Sequence, residues 1–153
     1  MKKLSICLIF ILCLFMTGCG EPKELAVVSL DTFKNVASNN NFNVVDNTDK
    51  YGDATYITGS VLATYGDIEI EMVSYTDVES AKKVQENQIT SFNLLKSTGA
   101  FEDKIQGDNY YKYILVSNNR YMVNTRVDNT LVFCKTILTN KETVEKIYNE
   151  LGY

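Results

Sequence analysis

Two dipeptides constrain this chain more than anything else in it. Asn118-Asn119 and Asp128-Asn129 interrupt the run "YYKYILVSNNRYMVNTRVDNTLVFCKTIL", residues 110–138, whose remaining residues are dominated by β-branched, aromatic and other apolar types. Tight two-residue hairpin turns need positive φ, and Asn and Asp adopt it at less cost than other side-chain-bearing residues. If both turns are two residues long, the register of three strands follows from the period of two. Val116 then faces Tyr121, Ile114 faces Val123, Val123 faces Cys134, and Thr125 faces Val132. That face is mostly apolar and is expected to meet the helices. The opposite face gathers Tyr111, Tyr113, Arg120, Asn124, Arg126, Phe133 and Lys135.

The rest of the chain reads as more of the same architecture. "ATYITGSVLATYGDIEIEMVSY", residues 54–75, is a second hairpin, with Gly66-Asp67 suited to a turn of type II′. In that register Val61, Ala63, Tyr65, Ile68, Ile70 and Met72 share one face, while Glu69 and Glu71 point to water. A helix is expected from Ser29 or Asp31, with Leu30, Phe33, Val36 and Ala37 on one side, ending in the turn-forming "SNNNF". "FNVVD" follows as a short strand. The next helix has capping-box spacing at Thr76 and Glu79, a stripe traced by Val78, Ala81, Val84, Gln88, Phe92 and Leu95, and Gly99 as its stop. "AFEDKIQGDN" reads as a loop. A last helix begins after Asn140, buries Val144, Ile147, Tyr148 and Leu151, and ends at Gly152. The expected fold class is α+β: an antiparallel sheet of five to six strands in the order α-βββ-α-βββ-α, with helices mainly on one face.

The N-terminus carries the clearest message about location. Lys2 and Lys3 precede "LSICLIFILCLFM", an uncharged stretch of secretory length and too short for a comfortable membrane span. Thr17, Gly18 and Cys19 follow. "MTGC" resembles the lipobox of bacterial lipoproteins, with Met16 where Leu is usual. The resemblance implies removal of residues 1–18 and a diacylglyceryl group on the Cys19 thiol, which anchors the chain because each buried methylene contributes about 0.8 kcal/mol and two acyl chains hold firmly. Residues 19–28 are then the lipidated cysteine and a linker, and residues 29–153 a single domain.

Several function classes are disfavoured by composition. Loss of Lys2 and Lys3 with the signal leaves 13 basic against 19 acidic residues, a charge of −6 instead of −4; nucleic-acid binding wants a basic footprint instead. The chain has no histidine, so the commonest general base and the commonest zinc ligand are missing. Cys7 and Cys13 depart with the signal and Cys19 with the lipid, so Cys134 stands alone in an apolar strand pattern, as a small buried hydrophobe. Asp46, Asp49 and Asp53 lack the bidentate Glu of a calcium loop. No cofactor, metal site or catalytic residue is implied.

"DTFKNVASNNNFNVVDNT", "SYTDVESAKKVQENQ", "NNRYMVNTRVDNTLVFCKT" and "KIYNELGY" resemble segments of small lipoproteins of clostridia and related Gram-positive bacteria. The resemblance implies an extracytoplasmic, lipid-anchored domain and supplies no activity. Two readings follow. The first is a non-enzymatic binding or interaction module that uses the Tyr/Arg sheet face, since tyrosine and arginine carry recognition energy. Its partners would be the membrane, through Cys19, and an envelope protein or an acidic or glycan ligand. The second is an envelope hydrolase or transferase using Glu69 or Glu71 on a glycan. A helix or loop covering the Tyr/Arg face would weaken the first.

Overall fold

The computed structural model describes residues 23–153. The signal segment and Cys19 lie outside the described residues. Three α-helices are present among them: α1 (Leu30–Asn39), α2 (Val78–Asn93) and α3 (Lys141–Leu151). Seven strands accompany them: β1 (Asn43–Asp46), β2 (Ile57–Tyr65), β3 (Ile68–Tyr75), β4 (Phe101–Gln106), β5 (Tyr110–Ser117), β6 (Arg120–Val127) and β7 (Thr130–Ile137). They form one sheet in the order β1-β2-β3-β7-β6-β5-β4, antiparallel throughout.

The turn chemistry sets this sheet. Asn118 and Asn119 take φ of 50° and 58°, and Asp128 takes 47°, closing β5–β6 and β6–β7 with two-residue turns. The pairs Val116–Tyr121, Ile114–Val123, Val123–Cys134 and Thr125–Val132 form as the sequence predicts. Gly66, at φ 58°, closes β2–β3 in the same way. Helix ends follow their capping residues. The Ser29 hydroxyl accepts from the Thr32 amide to start α1, and Gly152 at φ 80° ends α3.

Three expectations need correction. The sheet has seven strands, not five to six, because 101–106 is β4 and not a loop. It is an edge strand with Glu102, Asp103 and Lys104 at its centre, so water on both sides erases the apolar alternation that marks inner strands. α2 is capped by Asp77, which accepts from the Ser80 amide, and it stops at Asn93, well short of Gly99. Finally, the helices do not share one face. α1 and α3 pack on one side of the sheet and α2 on the other.

The α1/α3 side is the main core. Phe33 and Ala37 of α1, and Val144, Ile147, Tyr148 and Leu151 of α3, meet Val61, Ala63, Ile70, Met72, Val123, Val132 and Cys134. Burial of each large aliphatic side chain there contributes about 1.5–3 kcal/mol. Cys134 is 1% exposed, and burial pushes its thiol up to about 12, so it is inert packing.

The segment read as a linker is pinned down from Lys23 onward. The Asn109 side chain accepts from the Leu25 amide at 3.0 Å and donates to the Leu25 carbonyl at 2.9 Å, while the Asp108 amide donates to the Lys23 carbonyl at 2.8 Å. The close approach requires glycine at 107. A Cβ there would stand 2.1 Å from Tyr110 Cε1 and 2.6 Å from the Lys23 carbonyl oxygen.

Candidate functional site

The Tyr/Arg face is the face that α2 crosses. Two side chains from the middle of α2 bind it through amides. Gln85 Nε2 donates to Asn124 Oδ1 at 2.8 Å and to the Tyr111 carbonyl at 2.9 Å, and Asn124 Nδ2 donates on to Gln88 Oε1. At the C-terminal end of the helix the Tyr113 hydroxyl donates to Asn93 Oδ1 at 2.8 Å. Around these bonds the packing is apolar: Ala81 meets Val73, Tyr75 and Leu131, and Phe92 meets Tyr113, Leu115 and Met122. A buried polar group is costly unless it is paired. Here the sheet's asparagine and the helix's glutamines satisfy one another.

The seven candidate residues are therefore not one surface. Tyr113 and Asn124 are fully buried beneath α2 and cannot meet a ligand. Arg120 stands exposed at the start of β6, beside the Asn118-Asn119 turn, where it shares a cleft of about 390 Å³ with Lys135. The other four fall into two clefts, one on each side of the helix. Tyr111 and Arg126 line a cleft of about 430 Å³ together with Gln106 of β4 and Ile89 of α2. Phe133 and Lys135 line a cleft of about 320 Å³ with Leu62, Glu69 and Glu71 of the first hairpin and Leu95 just beyond α2.

Glu71 departs from its expected place. It is 4% exposed instead of facing water. The 3₁₀ turn Thr48–Tyr51, which follows β1, folds over it. Its Oε1 accepts from Asn47 Nδ2 at 2.7 Å, the Tyr51 hydroxyl at 2.8 Å and the Ser60 hydroxyl at 2.8 Å; its Oε2 pairs with Lys50 Nζ at 3.0 Å. Burial pushes the carboxyl's pKa up, but the four donors outweigh it and the net shift is downward. Glu71 is thus an ionised, saturated carboxylate that ties the turn to the sheet. A general acid needs the opposite, a carboxyl held protonated. Glu69, two residues away on the same strand face, is exposed in the same cleft.

Arg126, the second arginine of the candidate face, is 7% exposed. Its Nη1 donates to the carbonyls of Asn109 and Asp128 at 3.3 and 3.2 Å. Its Nε is buried with no hydrogen-bond partner, and no carboxylate among the described residues lies within ion-pair distance of the guanidinium. Burial pulls its pKa down and the charge of Asp128 pulls it back up.

The acidic residues considered for other roles are placed as follows. Asp46 accepts from the Thr48 amide at 2.9 Å, which lowers its pKa. Among the described residues no three of Asp, Glu and Cys come together as a metal site would require. Glu102 pairs with Lys96 and Lys104, which hold its carboxyl down at about 2. Asp108 pairs with Lys23 at 3.2 Å. Among the described residues no helix is long and apolar enough to cross a membrane.

No family model matches the chain, and no curated protein matches it. Among solved structures it is similar to a GTP-binding regulator from Thermotoga maritima, at 23% identity over 81% of this chain and 87% of that one, with a TM-score of 0.47. It is also similar to the extracellular domain of PknH from Mycobacterium tuberculosis, at 8% identity over 82% of this chain and 92% of that one, with a TM-score of 0.41. No residue of the site is carried over from either.

Proposed function

We propose that this chain is an extracytoplasmic, lipid-tethered binding module, not an enzyme, and that it takes its ligand in the clefts flanking α2. The observation that carries the reading is the way α2 sits on the sheet. It seals the centre of the Tyr/Arg face with amide pairs and apolar contacts and leaves a cleft with ionic groups on either side, Arg126 in one and Glu69 with Lys135 in the other. Concave sites with an apolar lining and a few convergent polar groups are where small ligands and peptide ends bind. The tether rests on the Lys2-Lys3, apolar stretch and "MTGC" succession of the N-terminus. The saturated, ionised state of Glu71 speaks against the hydrolase reading, because the cleft's buried carboxylate has no proton to give.

Photo-crosslinking in the native envelope tests this. A probe replaces Tyr111 or Phe133, and a control probe replaces exposed Glu142 on α3, across the sheet. The expected result is an adduct of defined mass at position 111 or 133 and none at 142. In the same cells Cys19→Ser should release the chain from the membrane fraction and abolish incorporation of a clickable acyl label. Equal adducts at all three positions, or membrane retention of the Ser variant, would count against the module and the tether respectively.

A further inference from the structure

We propose that the Arg126 cleft receives a carboxylate, bound side-on across Nε and Nη2 of the guanidinium and carried on a compact apolar or aromatic body. This deepens the reading of the α2 clefts as binding sites and rests on it.

A guanidinium has five N–H donors in a fixed fork. Nη1 of Arg126 spends its donors on the carbonyls of Asn109 and Asp128, so the arginine is held by backbone of the β4–β5 and β6–β7 turns. That leaves the edge formed by Nε and Nη2. Nε is shielded from water and has no partner. A planar carboxylate meets such an edge with two parallel charge-assisted bonds. A buried cation without a counter-ion is costly, and a bound carboxylate would neutralise it.

Charge selects among oxyanions. The other cation lining the cleft is Lys82, and Glu86 lines it as well. Asp128 acts on Arg126 electrostatically. Two positive and two negative groups leave little net attraction for a dianion such as phosphate, while a single carboxylate needs only the one unpaired edge. The lining beside Arg126 includes the half-buried Tyr111 ring and Ile89, which suit an apolar or aromatic body next to the carboxylate. Because Nε lies out of contact with water, entry requires lining side chains to give way.

The chain has two arginines, Arg120 and Arg126, so the Nε–H region of a ¹H–¹⁵N spectrum holds one reporter for the cleft and one internal control. The full-length protein, ¹⁵N-labelled in detergent, is titrated in separate arms with phenylacetate, phenylacetamide and inorganic phosphate. The expected result is a saturable downfield shift of the Arg126 Nε–H with phenylacetate, half-complete at about 1 mM, with Arg120 unmoved and the other two arms silent. Arg126→Lys keeps the charge but removes the side-on edge, and should weaken the phenylacetate response of the Tyr111 backbone amide by about tenfold or more. An unmoved Arg126 signal at about 10 mM phenylacetate would overturn the proposal, as would an equal shift with phenylacetamide or phosphate. These arms use the wild-type protein and decide the matter even if the variant does not fold. Shifts confined to the amides around Glu69 and Lys135 would also overturn it, yet would leave the binding-module reading standing.

Discussion

The two faces of one sheet are covered by opposite chemistry. On the α1/α3 face, helix and strand meet through aliphatic and aromatic groups, and the contact is continuous from Phe33 to Leu151. On the α2 face apolar packing is broken into two smaller clusters, and between them the helix is held by Gln85, Gln88 and Asn124. Apolar surfaces can pack in many ways and close up. Amide pairs hold one geometry and leave gaps where the side chains do not match. One strand such as β6 serves both regimes through alternate residues, with Val123 fully buried on one side and Asn124 fully buried on the other.

The contrast can be broken by mutation. Ile147→Ala, in the α1/α3 layer, should cost about 3 kcal/mol of stability by denaturant unfolding, since a fully buried aliphatic is removed from a close-packed site. A loss below about 1 kcal/mol would mean that α3 is loosely held and that the faces are alike. Asn124→Leu should cost about 2 kcal/mol, because Gln88 loses its partner and Gln85 keeps only the Tyr111 carbonyl. Hydrogen exchange should quicken in α2 and stay unchanged in α3. A stabilising effect would show that the α2 face also prefers apolar docking.

The smallest effect sharpens the contrast at its ionic edge. Glu71 has a folded pKa below the ordinary value of 4.5, so its ionised form is the one that favours folding. That contribution is present above the ordinary value and disappears as pH falls through the folded one. The stability gap between the wild type and Glu71→Gln should therefore shrink between pH 6 and pH 3, followed as denaturation midpoints. A gap that is constant with pH would mean that the carboxylate network is not ionic.

How far these features could be read in advance depended on how local their causes are. The β5-β6-β7 register was legible because Asn118-Asn119 and Asp128-Asn129 dictate it within a few residues. α3 was legible because its stripe and Gly152 lie in one short run. β4 was hidden by its charged, edge-strand surface. The burial of Glu71 was hidden because its partners come from the 47–51 turn and Ser60, and nothing in "DIEIEM" announces them. The covered Tyr/Arg face was half legible. Gln88 interrupts the apolar stripe of α2 and Asn124 interrupts the sheet, and these two anomalies answer each other. Each alone looks like a solvent-facing polar residue, so the pairing emerges only when the helix is laid across the strands.

The Asn109 clamp on Leu25 also gives the domain a polarity relative to any surface it is anchored to. Only Gly20, Glu21 and Pro22 separate Cys19 from Lys23, where the chain is already fastened to the Asp108 amide. Four residue steps reach at most about 14 Å, far less than the ~26 Å length of the eight-residue strands β5 and β6. A lipid on Cys19 would act as a short leash, not a long one. It would hold the end bearing Asn109 and Asp128 close to the bilayer and turn the Asn118-Asn119 tip outward. Arg126, two residues before Asp128, would then look into the narrow space just above the membrane, whereas Lys135, near the other end of β7, would look away from it. The two clefts would sample different layers of the envelope at fixed heights.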